Sequence, residues 1–372
     1  MSLGRRPSGA GRAPPSAPGA VTRPLRVLVA TPLGAGGRGG IDRMMDAVRR
    51  ALAAHPPPGL AVTVVATRGQ GSLARSPGRM LRALGQLARR PDVLHINLSS
   101  RGSALRKLVL AAAARALSVP TVVHLHGSGF DAWWDAAPAP LRAQVRRMFA
   151  GAARIVVLGR VWREAVAARV PEAAGRIVVL PNAAPAAEPA RGGTPPTILF
   201  LGRLGPRKGV PQLVAALAGL PPGLPWRAVL AGDGDHDAAR RDLDRHGLAD
   251  RVALPGWLDD EGVRRHLAEA DILALPSFAE NLPMALVEAF AHGLAVVATP
   301  VGAVEDLVAH GRTGLLVPPG DVPALSDALQ RLLVDVGLRR SLGAAARAFH
   351  ADHLEIGRYG ARLAAIWADA AE

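Results

Sequence analysis

The stretch "TILFLGRLGPRKG" (residues 197–209) decides the fold of the second half of this chain. An apolar run leads into a glycine-bracketed basic loop, which is the pattern of a buried strand followed by an anion-binding turn. Lys208 in this loop is one of only two lysines, the other being Lys107, in a chain with 43 arginines. A compact ammonium on a flexible stem suits a phosphate oxygen. We therefore interpret the loop as a phosphate-type loop rather than a basic surface turn.

Nearly continuous apolar runs alternate with helical stretches on both sides of this loop. They begin with "LRVLVAT" (25–31), recur up to "RIVVLPN" (176–182), and restart from residue 197 up to "GLLVPP" (314–319). Such runs are typical of parallel strands buried on both faces, and alternation with helices indicates doubly wound sheets. The fold class predicted is α/β, with two Rossmann-like domains facing across a cleft. We expect a disordered basic tail (1–24), a first domain (25–184), a linker (185–196) and a second domain (197–354).

Composition narrows the classes of protein. The chain has 372 residues and no cysteine, which excludes disulfides, thiolate metal sites and cysteine nucleophiles and fits a cytoplasmic protein. Neither a membrane-spanning run nor the apolar run of a signal peptide is evident. Residues 1–190 carry a formal charge of +19 and residues 191–372 carry −4, so we expect different partners for the two halves, without nucleic acid among them. The stretch 76–92 has a basic amphipathic pattern that suits either an anionic membrane surface or a core-facing helix.

Glycines follow the first predicted strand in "PLGAGGRGGID" (32–42). Their spacing matches a dinucleotide fingerprint, but Thr67 stands where an NAD site would carry an acidic residue, although an NADP site could use Arg68. We expect that Gly39 and Gly40 let backbone amides approach an anion, against the alternative of a tight strand-to-helix turn.

The acidic stretch "GDGDHD" (232–237) contains carboxylates that could bind a metal ion. Asp233 and Asp235 could form part of a divalent site, but nothing nearby adds ligands beyond His236. We favour a helix cap by Asp235 or Asp237, and we expect no metal.

The most specific stretch is "PSFAENLPMALVEAFAHG" (276–293). Glu280 lies in a loop after a buried strand, Pro283 suits a helix start, and Glu288 lies inside that helix. Free amides at the helix start would point toward an anion in the cleft.

In the first half, "TVVHLHG" (121–127) places two histidines at a strand end. We expect His124 and His126 to face opposite sides of the strand, with His126 directed to the cleft.

Together these pieces resemble the family-four retaining glycosyltransferases of the GT-B architecture. The resemblance rests on "GRLGPRKG", "PGWL" (255–258), "PSFAENLPMALVEAFAHG", "TPVGAVED" (299–306) and "GRTGLLVPPGD" (311–321), with "GGID" and "HLHG" in the first half. These motifs span most of residues 25–321 in the family's order.

The resemblance implies a metal-independent retaining hexosyltransferase without a further cofactor. It would move a hexose from a nucleotide diphosphate sugar, held by the second domain, to a saccharide or lipid-linked acceptor, held by the basic first domain. From the charge of the first half, and not from the resemblance, we expect peripheral contact with anionic lipid at the inner face of the cytoplasmic membrane. The final helix (355–372) would pack back on the first domain. The implied site residues are Arg203 and Lys208 at the diphosphate, Glu280 at the donor sugar, Glu288 at the ribose hydroxyls, His126 beside the reacting sugar, Gly40 near the phosphates, and Asn281, Leu282 and Met284 along the sugar and phosphate.

Two other functions share this architecture. A sugar-nucleotide epimerase would need acid–base motifs that the chain lacks. A non-catalytic nucleotide-sugar binding protein would keep Arg203, Lys208 and Glu288 but would not need His126. Asn281, Ala183 and Val301 stand where many family members have glycine, which leaves the identity of the sugar open.

Overall fold

The computed structural model describes residues 23–34, 40–54, 57, 59–68, 76–99 and 101–372. In these residues the chain forms two parallel sheets of six strands each, flanked by helices. This confirms the predicted α/β architecture of two doubly wound units. Gly39 lies outside the described residues, as do residues 1–22 of the predicted tail. Arg23, near the end of that tail, donates a hydrogen bond to Asp92 at 2.7 Å.

The first sheet has the strand order β2-β1-β3-β4-β5-β6. Its strands are β1 (Leu25–Thr31), β2 (Leu60–Ala66), β3 (Val93–Leu98), β4 (Thr121–Leu125), β5 (Arg154–Val157) and β6 (Ile177–Val179). Its helices are α1 (Gly40–Ala54), α2 (Ser76–Leu87), α3 (Gly102–Ala116), α4 (Phe130–Asp135), α5 (Ala139–Ala150) and α6 (Arg160–Arg169). Both faces of the sheet are covered, because Leu28 and Ala30 of β1 join one apolar cluster and Val27 and Val29 join another.

The second sheet has the order β12-β11-β10-β7-β8-β9. Its strands are β7 (Thr197–Leu201), β8 (Arg227–Ala231), β9 (Val252–Gly256), β10 (Ile272–Leu275), β11 (Ala295–Ala298) and β12 (Leu315–Leu316). Its helices are α7 (Val210–Ala218), α8 (His236–Arg245), α9 (Asp260–Glu269), α10 (Met284–His292), α11 (Val322–Val334) and α12 (Val336–His353), and α13 (Ile356–Ala371) ends the chain. Helices α11 and α12 are separate, because Asp335 accepts a hydrogen bond from Leu338 N and caps a new helix.

Each sheet has a switch point, where the chain changes the direction in which it adds strands. In the first sheet this point lies between β1 and β3, and in the second it lies between β7 and β10. The loops that leave the carboxyl ends of two such strands diverge and open a crevice. The basic loop, which carries Lys208, follows β7. The loop that carries Glu280, here called the acidic loop, follows β10. The two loops therefore start side by side.

The chain crosses between the two sheets twice at one place. Ala184 N donates to Leu354 O at 3.0 Å, and Ile356 N donates to Ala184 O at 3.1 Å. Helix α13 then packs on α1, where Leu363 and Trp367 join the apolar cluster of Met44. The last helix is thus part of the core of the first sheet.

Trp367 holds α13 in place by apolar packing and by one buried hydrogen bond. Its side chain is fully buried, and its Nε1 donates to His95 Nδ1 at 3.0 Å. We predict that Trp367→Ala lowers the free energy of unfolding by about 3–5 kcal/mol, because it leaves a cavity and an unpaired buried nitrogen. Denaturant unfolding measures this, with the half-exposed Trp257→Ala as the matched control. Equal losses in the two variants would contradict the assignment of Trp367 to the core.

Candidate functional site

A cleft of about 410 Å³ lies between the two domains, beyond the carboxyl ends of their central strands. Several of the predicted site residues lie on its wall, namely Gly40, His126, Arg203, Lys208, Leu282, Met284 and Glu288. Glu280 and Asn281 lie behind this wall, and Gly39 is outside the described residues. The fold therefore brings together residues from four segments that are far apart in sequence.

Two of these loops are fastened to each other. Gly209 has a left-handed φ of 71°, and a Cβ there would collide with the carbonyl oxygen of Pro276, so glycine is required. Arg207 Nη1 donates to Ala279 O at 2.8 Å, and Phe278 N donates to Arg207 O at 2.9 Å. These contacts fix the basic loop on the acidic one.

The two loops also share an ion pair. The ammonium of Lys208 donates to Glu280 Oε1, and Ser277 Oγ donates to the same oxygen at 2.8 Å. The side chains of Lys208 and Glu280 are only 15% and 7% exposed. Such a desolvated pair is stable only while both partners are present. Lys208 thus presents its charge at the cleft wall, and Glu280 anchors it from behind.

Arg203 is in a different environment. Its guanidinium is 70% exposed at the mouth of the cleft and lies 3.8 Å from the carboxylate of Asp233, which is also mostly exposed. A pair this open is weakly coupled, so Arg203 can turn to another anion at little cost.

Helix α10 begins at the cleft. Pro283 precedes its first turn, and no side chain in the described part of the chain caps this end. Leu282 and Met284 line the wall, while Asn182 Nδ2 of the other domain donates to Leu282 O at 2.8 Å. The first backbone amides and the positive end of the helix dipole therefore face the cleft beside Lys208.

Glu288 lies one turn further along α10. Its carboxylate is 3.4 Å from Arg43 Nη2, and Arg43 also reaches Asp260 at 3.0 Å. Burial raises the pKa of Glu288 to about 7, although the charge of Arg43 opposes the rise. The side chain is 19% exposed, so it keeps one face toward the cleft. A carboxyl group in this position can hydrogen-bond to a pair of hydroxyls.

The predicted arrangement of the two strand-end histidines is wrong. Their ring centroids lie 3.9 Å apart, on the same side of the strand. Residues two apart in a strand share a face, and this periodicity explains the contact. His126 lines the cleft, whereas His124 is completely buried beneath it.

Asn281 holds the acidic loop against the first domain. Its Nδ2 donates to Leu125 O at 3.3 Å, and its carbonyl accepts from Ala303 N at 2.8 Å. The side chain is 5% exposed and does not reach the wall. In this structure its contacts are with protein on both sides.

The acidic turn after β8 ends in a helix cap. Asp235 Oδ1 accepts from Ala238 N at 2.9 Å at the start of α8, as predicted. Across the described residues, His, Asp and Glu nowhere form a group of three or more that could hold a metal ion.

Helix α2 packs on the core, which is the second of the two alternatives considered for this stretch. Leu87 is fully buried, and Met80 and Leu84 pack on the same cluster. Leu81 is 67% exposed. None of the helices in the described part of the chain is long and apolar enough to cross a membrane.

Some residues of the cleft wall were not singled out from the sequence, among them Arg43, Asn182 and Trp257. Arg43 follows the "GGID" motif by one residue, Asn182 belongs to "RIVVLPN", and Trp257 belongs to "PGWL". Each motif marked the right loop. The side chain that faces the cleft depends on how the helix or loop is rotated, which spacing alone did not show.

Two family models match consecutive parts of the chain. "Glycosyl transferase 4-like domain" matches residues 6–183, and "Glycosyl transferases group 1" matches residues 195–335. Among curated relatives, the alpha-D-kanosaminyltransferase of Streptomyces kanamyceticus is 33% identical over 46% of this chain and 45% of its own. The phosphatidyl-myo-inositol mannosyltransferase of Mycobacterium leprae is 37% identical over 40% of each chain. The match thus spans less than half the length of these relatives.

Solved structures share the fold over nearly the whole chain. Anabaena Alr3699/HepE in complex with UDP and glucose has a TM-score of 0.72 at 20% identity, covering 92% of this chain and 98% of its own. Sucrose-phosphate synthase from Thermosynechococcus elongatus has a TM-score of 0.73 at 20% identity, with the same coverage. At this identity the similarity establishes the architecture.

The raised pKa of Glu288 predicts a pH-dependent stability. Between its ordinary pKa of 4.5 and about 7 the unfolded state is ionised while the folded state keeps the proton, so stability falls as pH rises through this window. We predict that Glu288→Gln, which cannot ionise, gains up to about 3 kcal/mol over the native protein between pH 4.5 and pH 7.5. Denaturant unfolding at both pH values measures the gain. The exposed Glu172→Gln is the control, and an equal gain for both variants would refute a special environment at Glu288.

Proposed function

Because this chain belongs to the group 1 glycosyl transferases, we propose that it moves a hexose from a nucleotide diphosphate sugar to a saccharide or lipid-linked acceptor, with retention at the sugar carbon. The observation that carries this proposal is the convergence of two cations, the start of α10 and the Glu288 carboxyl group in one cleft. A diphosphate needs the first two features, and a ribose diol suits the third.

Arg203, Lys208 and the amides of α10 hold the diphosphate. Charge builds up on this group as the sugar leaves, so fixed cations and dipoles stabilise the transition state more than the ground state. Among the described residues, a Cβ at Gly40 would meet nothing within 4 Å, so this glycine leaves open space at the start of α1. A phosphate or sugar can therefore come close to the first domain.

Retention is proposed to occur on one face of the sugar. The carboxylates on the described cleft wall are Asp233 at the mouth and Glu288 at the proposed ribose position. Neither is placed as a nucleophile for the reacting carbon. The departing phosphate would then take the proton of the acceptor hydroxyl. His126 would lie beside the sugar and orient it.

Both named relatives transfer a sugar, one a kanosaminyl group and the other a mannosyl group to phosphatidyl-myo-inositol. A screen of UDP-, GDP- and ADP-sugars for thermal stabilisation and slow hydrolysis tests the donor class. One donor should raise the melting temperature and be hydrolysed with its sugar configuration retained. Stabilisation by a donor with no hydrolysis and no transfer to any acceptor would favour a binding protein instead.

Because Lys208 is paired with Glu280, the effect of its charge on activity can be measured separately from its effect on stability. Lys208→Met leaves the Glu280 carboxylate buried without a cation, so we predict a loss of about 3–5 kcal/mol in stability. The double variant Lys208→Met/Glu280→Gln should regain most of that stability. Its kcat/KM should remain on the order of tenfold to hundredfold below the native value, because the phosphate still lacks the charge.

Arg240→Met is the control, since it removes an exposed cation of α8 in the same domain, away from the cleft wall. Unfolding curves and steady-state rates with the identified donor are measured for all variants. Full recovery of activity in the double variant would mean that Lys208 serves only to neutralise Glu280.

We further propose that the reaction needs no divalent metal. Arg203 and Lys208 supply positive charge where metal-dependent enzymes use an ion, and the described residues contain no ligand cluster. Activity should persist after treatment with EDTA. Loss of activity that Mg²⁺ or Mn²⁺ restores would overturn this, and Asp233 would become the first ligand to test.

A last proposal concerns the site of action. Exposed apolar side chains lie among arginines on α2 and α3, including Leu81 (67% exposed) and Leu105 (51%), which suits the surface of an anionic, cytoplasmic leaflet. Vesicle co-sedimentation should increase with anionic lipid and decrease with salt. Leu81→Glu should weaken it, whereas Val334→Glu, at a side chain 63% exposed in the second domain, should not. Binding independent of lipid charge would contradict the idea.

A further inference from the structure

A row of buried polar side chains lies beneath His126. His95 and Asn97 belong to β3, and Asn97 is the register partner of His124 on β4. The ring of His95 is 5.3 Å from that of His124, which is 3.9 Å from that of His126. His95, Asn97 and His124 are completely buried. The row therefore runs from the core of the first sheet to the wall of the cleft.

The inner end of this row has a defined protonation state. Trp367 Nε1 can only donate a hydrogen bond, and it points at His95 Nδ1 at 3.0 Å. His95 Nδ1 must therefore be the acceptor, and its proton lies on Nε2. A neighbouring group thus fixes the tautomer of a buried histidine without any charge.

The same logic applies at the outer end. His126 Nε2 lies 2.8 Å from Asn97 Oδ1, and His126 N donates to Leu98 O at 2.8 Å. The backbone bond fixes the position of the ring along the strand end. An amide oxygen can only accept, so the partner nitrogen must carry the proton. The other ring nitrogen, Nδ1, is then left with a lone pair.

Burial determines that this ring is neutral. It lowers the pKa of His126 to about 3, and the neighbouring His95 adds to the effect. A neutral imidazole offers one donor and one acceptor, and an imidazolium offers two donors. The group that faces Nε2 therefore decides what Nδ1 offers to a ligand.

We infer that Asn97 is a positioning residue: its Oδ1 holds the proton of His126 on Nε2, so that Nδ1 presents a lone pair to a hydroxyl of the transferred sugar. This rests on the proposed function for the identity of the ligand. The assignment of the tautomer rests on the protein alone.

The low pKa of His126 bears on its part in the reaction. A histidine with so low a basicity is a poor general base near neutral pH, because efficient proton transfer needs a pKa near the working pH. His126 therefore accepts a hydrogen bond from the sugar and does not take the proton of the acceptor. This agrees with the role given above to the departing phosphate.

The direct test is side-chain ¹⁵N NMR of histidines in the unliganded protein at neutral pH. His126→Gln identifies the signals. The expected result is a neutral ring with its proton on Nε2 in the native protein. Asn97→Ala should give a mixture of tautomers. A native ring with its proton on Nδ1, or with two protons, would overturn the inference whatever the enzyme's substrate is.

The second test is kinetic and uses the identified donor. Asn97→Ala should lower kcat/KM by roughly threefold to tenfold, the range expected for one neutral hydrogen bond. Asn97→Asp should keep the proton on Nε2 but raise the pKa of the ring, because a carboxylate stabilises the imidazolium. Its kcat should then fall as pH falls through the new pKa, since a protonated Nδ1 cannot accept.

Several titratable groups surround the His126 ring, so the pH dependence of kcat in Asn97→Asp is compared with that of the native enzyme. They are His95 and His124 on the strands and Arg43, Arg203, Lys208, Asp233 and Glu288 along the cleft. Thr121→Ala, at the far end of β4, controls for the loss of a buried polar side chain. A merely structural role of Asn97 would leave the shape of the profile unchanged in Asn97→Asp, and that result would refute the inference. If the NMR result holds while no donor is turned over, the proposed function fails and the positioning role stands.

Discussion

The ion pair between Lys208 and Glu280 is the contact on which the cleft depends. It joins two loops that leave neighbouring strands, β7 and β10, at the point where the second sheet changes direction. Gly209 permits the loops to approach that closely, because any side chain there would strike Pro276. Once the loops are joined, the start of α10 has a fixed position and its free amides lie beside an ammonium. Two separate elements thereby place an ammonium and free helix amides on one part of the cleft wall.

The same acidic loop is also where the two domains meet. Asn281 reaches the end of β4 in the first domain. Asp306 lies three residues beyond Ala303, whose backbone contacts the acidic loop, and it accepts a hydrogen bond from Arg160 N of the first domain at 2.6 Å. Gly159 allows this approach, since a Cβ there would collide with Ala303. A change in the relative position of the domains must therefore move or break contacts to the loop that carries Glu280. The contacts between the domains thus reach the same loop that anchors Lys208.

The sequence alone predicted the features that local pattern determines. Apolar runs located the strands, and the loops that follow them carry the predicted site residues. It did not predict that Lys208 would pair with Glu280, because the residues are 72 positions apart and meet only through the pairing of β7 with β10. Strand periodicity places His124 and His126 on the same side of the strand, and the prediction of opposite sides was wrong. The position of Arg43 on the cleft wall could not be predicted, since the direction of its side chain depends on the rotation of α1.

The scarcity of lysine has a physical explanation that covers both examples. Lys107 is completely buried, its Nζ donates to Thr67 Oγ1 at 2.6 Å, and burial lowers its pKa to about 7. A guanidinium has five donors in a rigid plane and stays charged, so it could not be satisfied by one hydroxyl in that space. Lys208 faces a similar restriction between Glu280 and the cleft. Arginine serves as the general cation of this chain, and both lysines lie at poorly exposed sites where a compact ammonium has few hydrogen-bond partners.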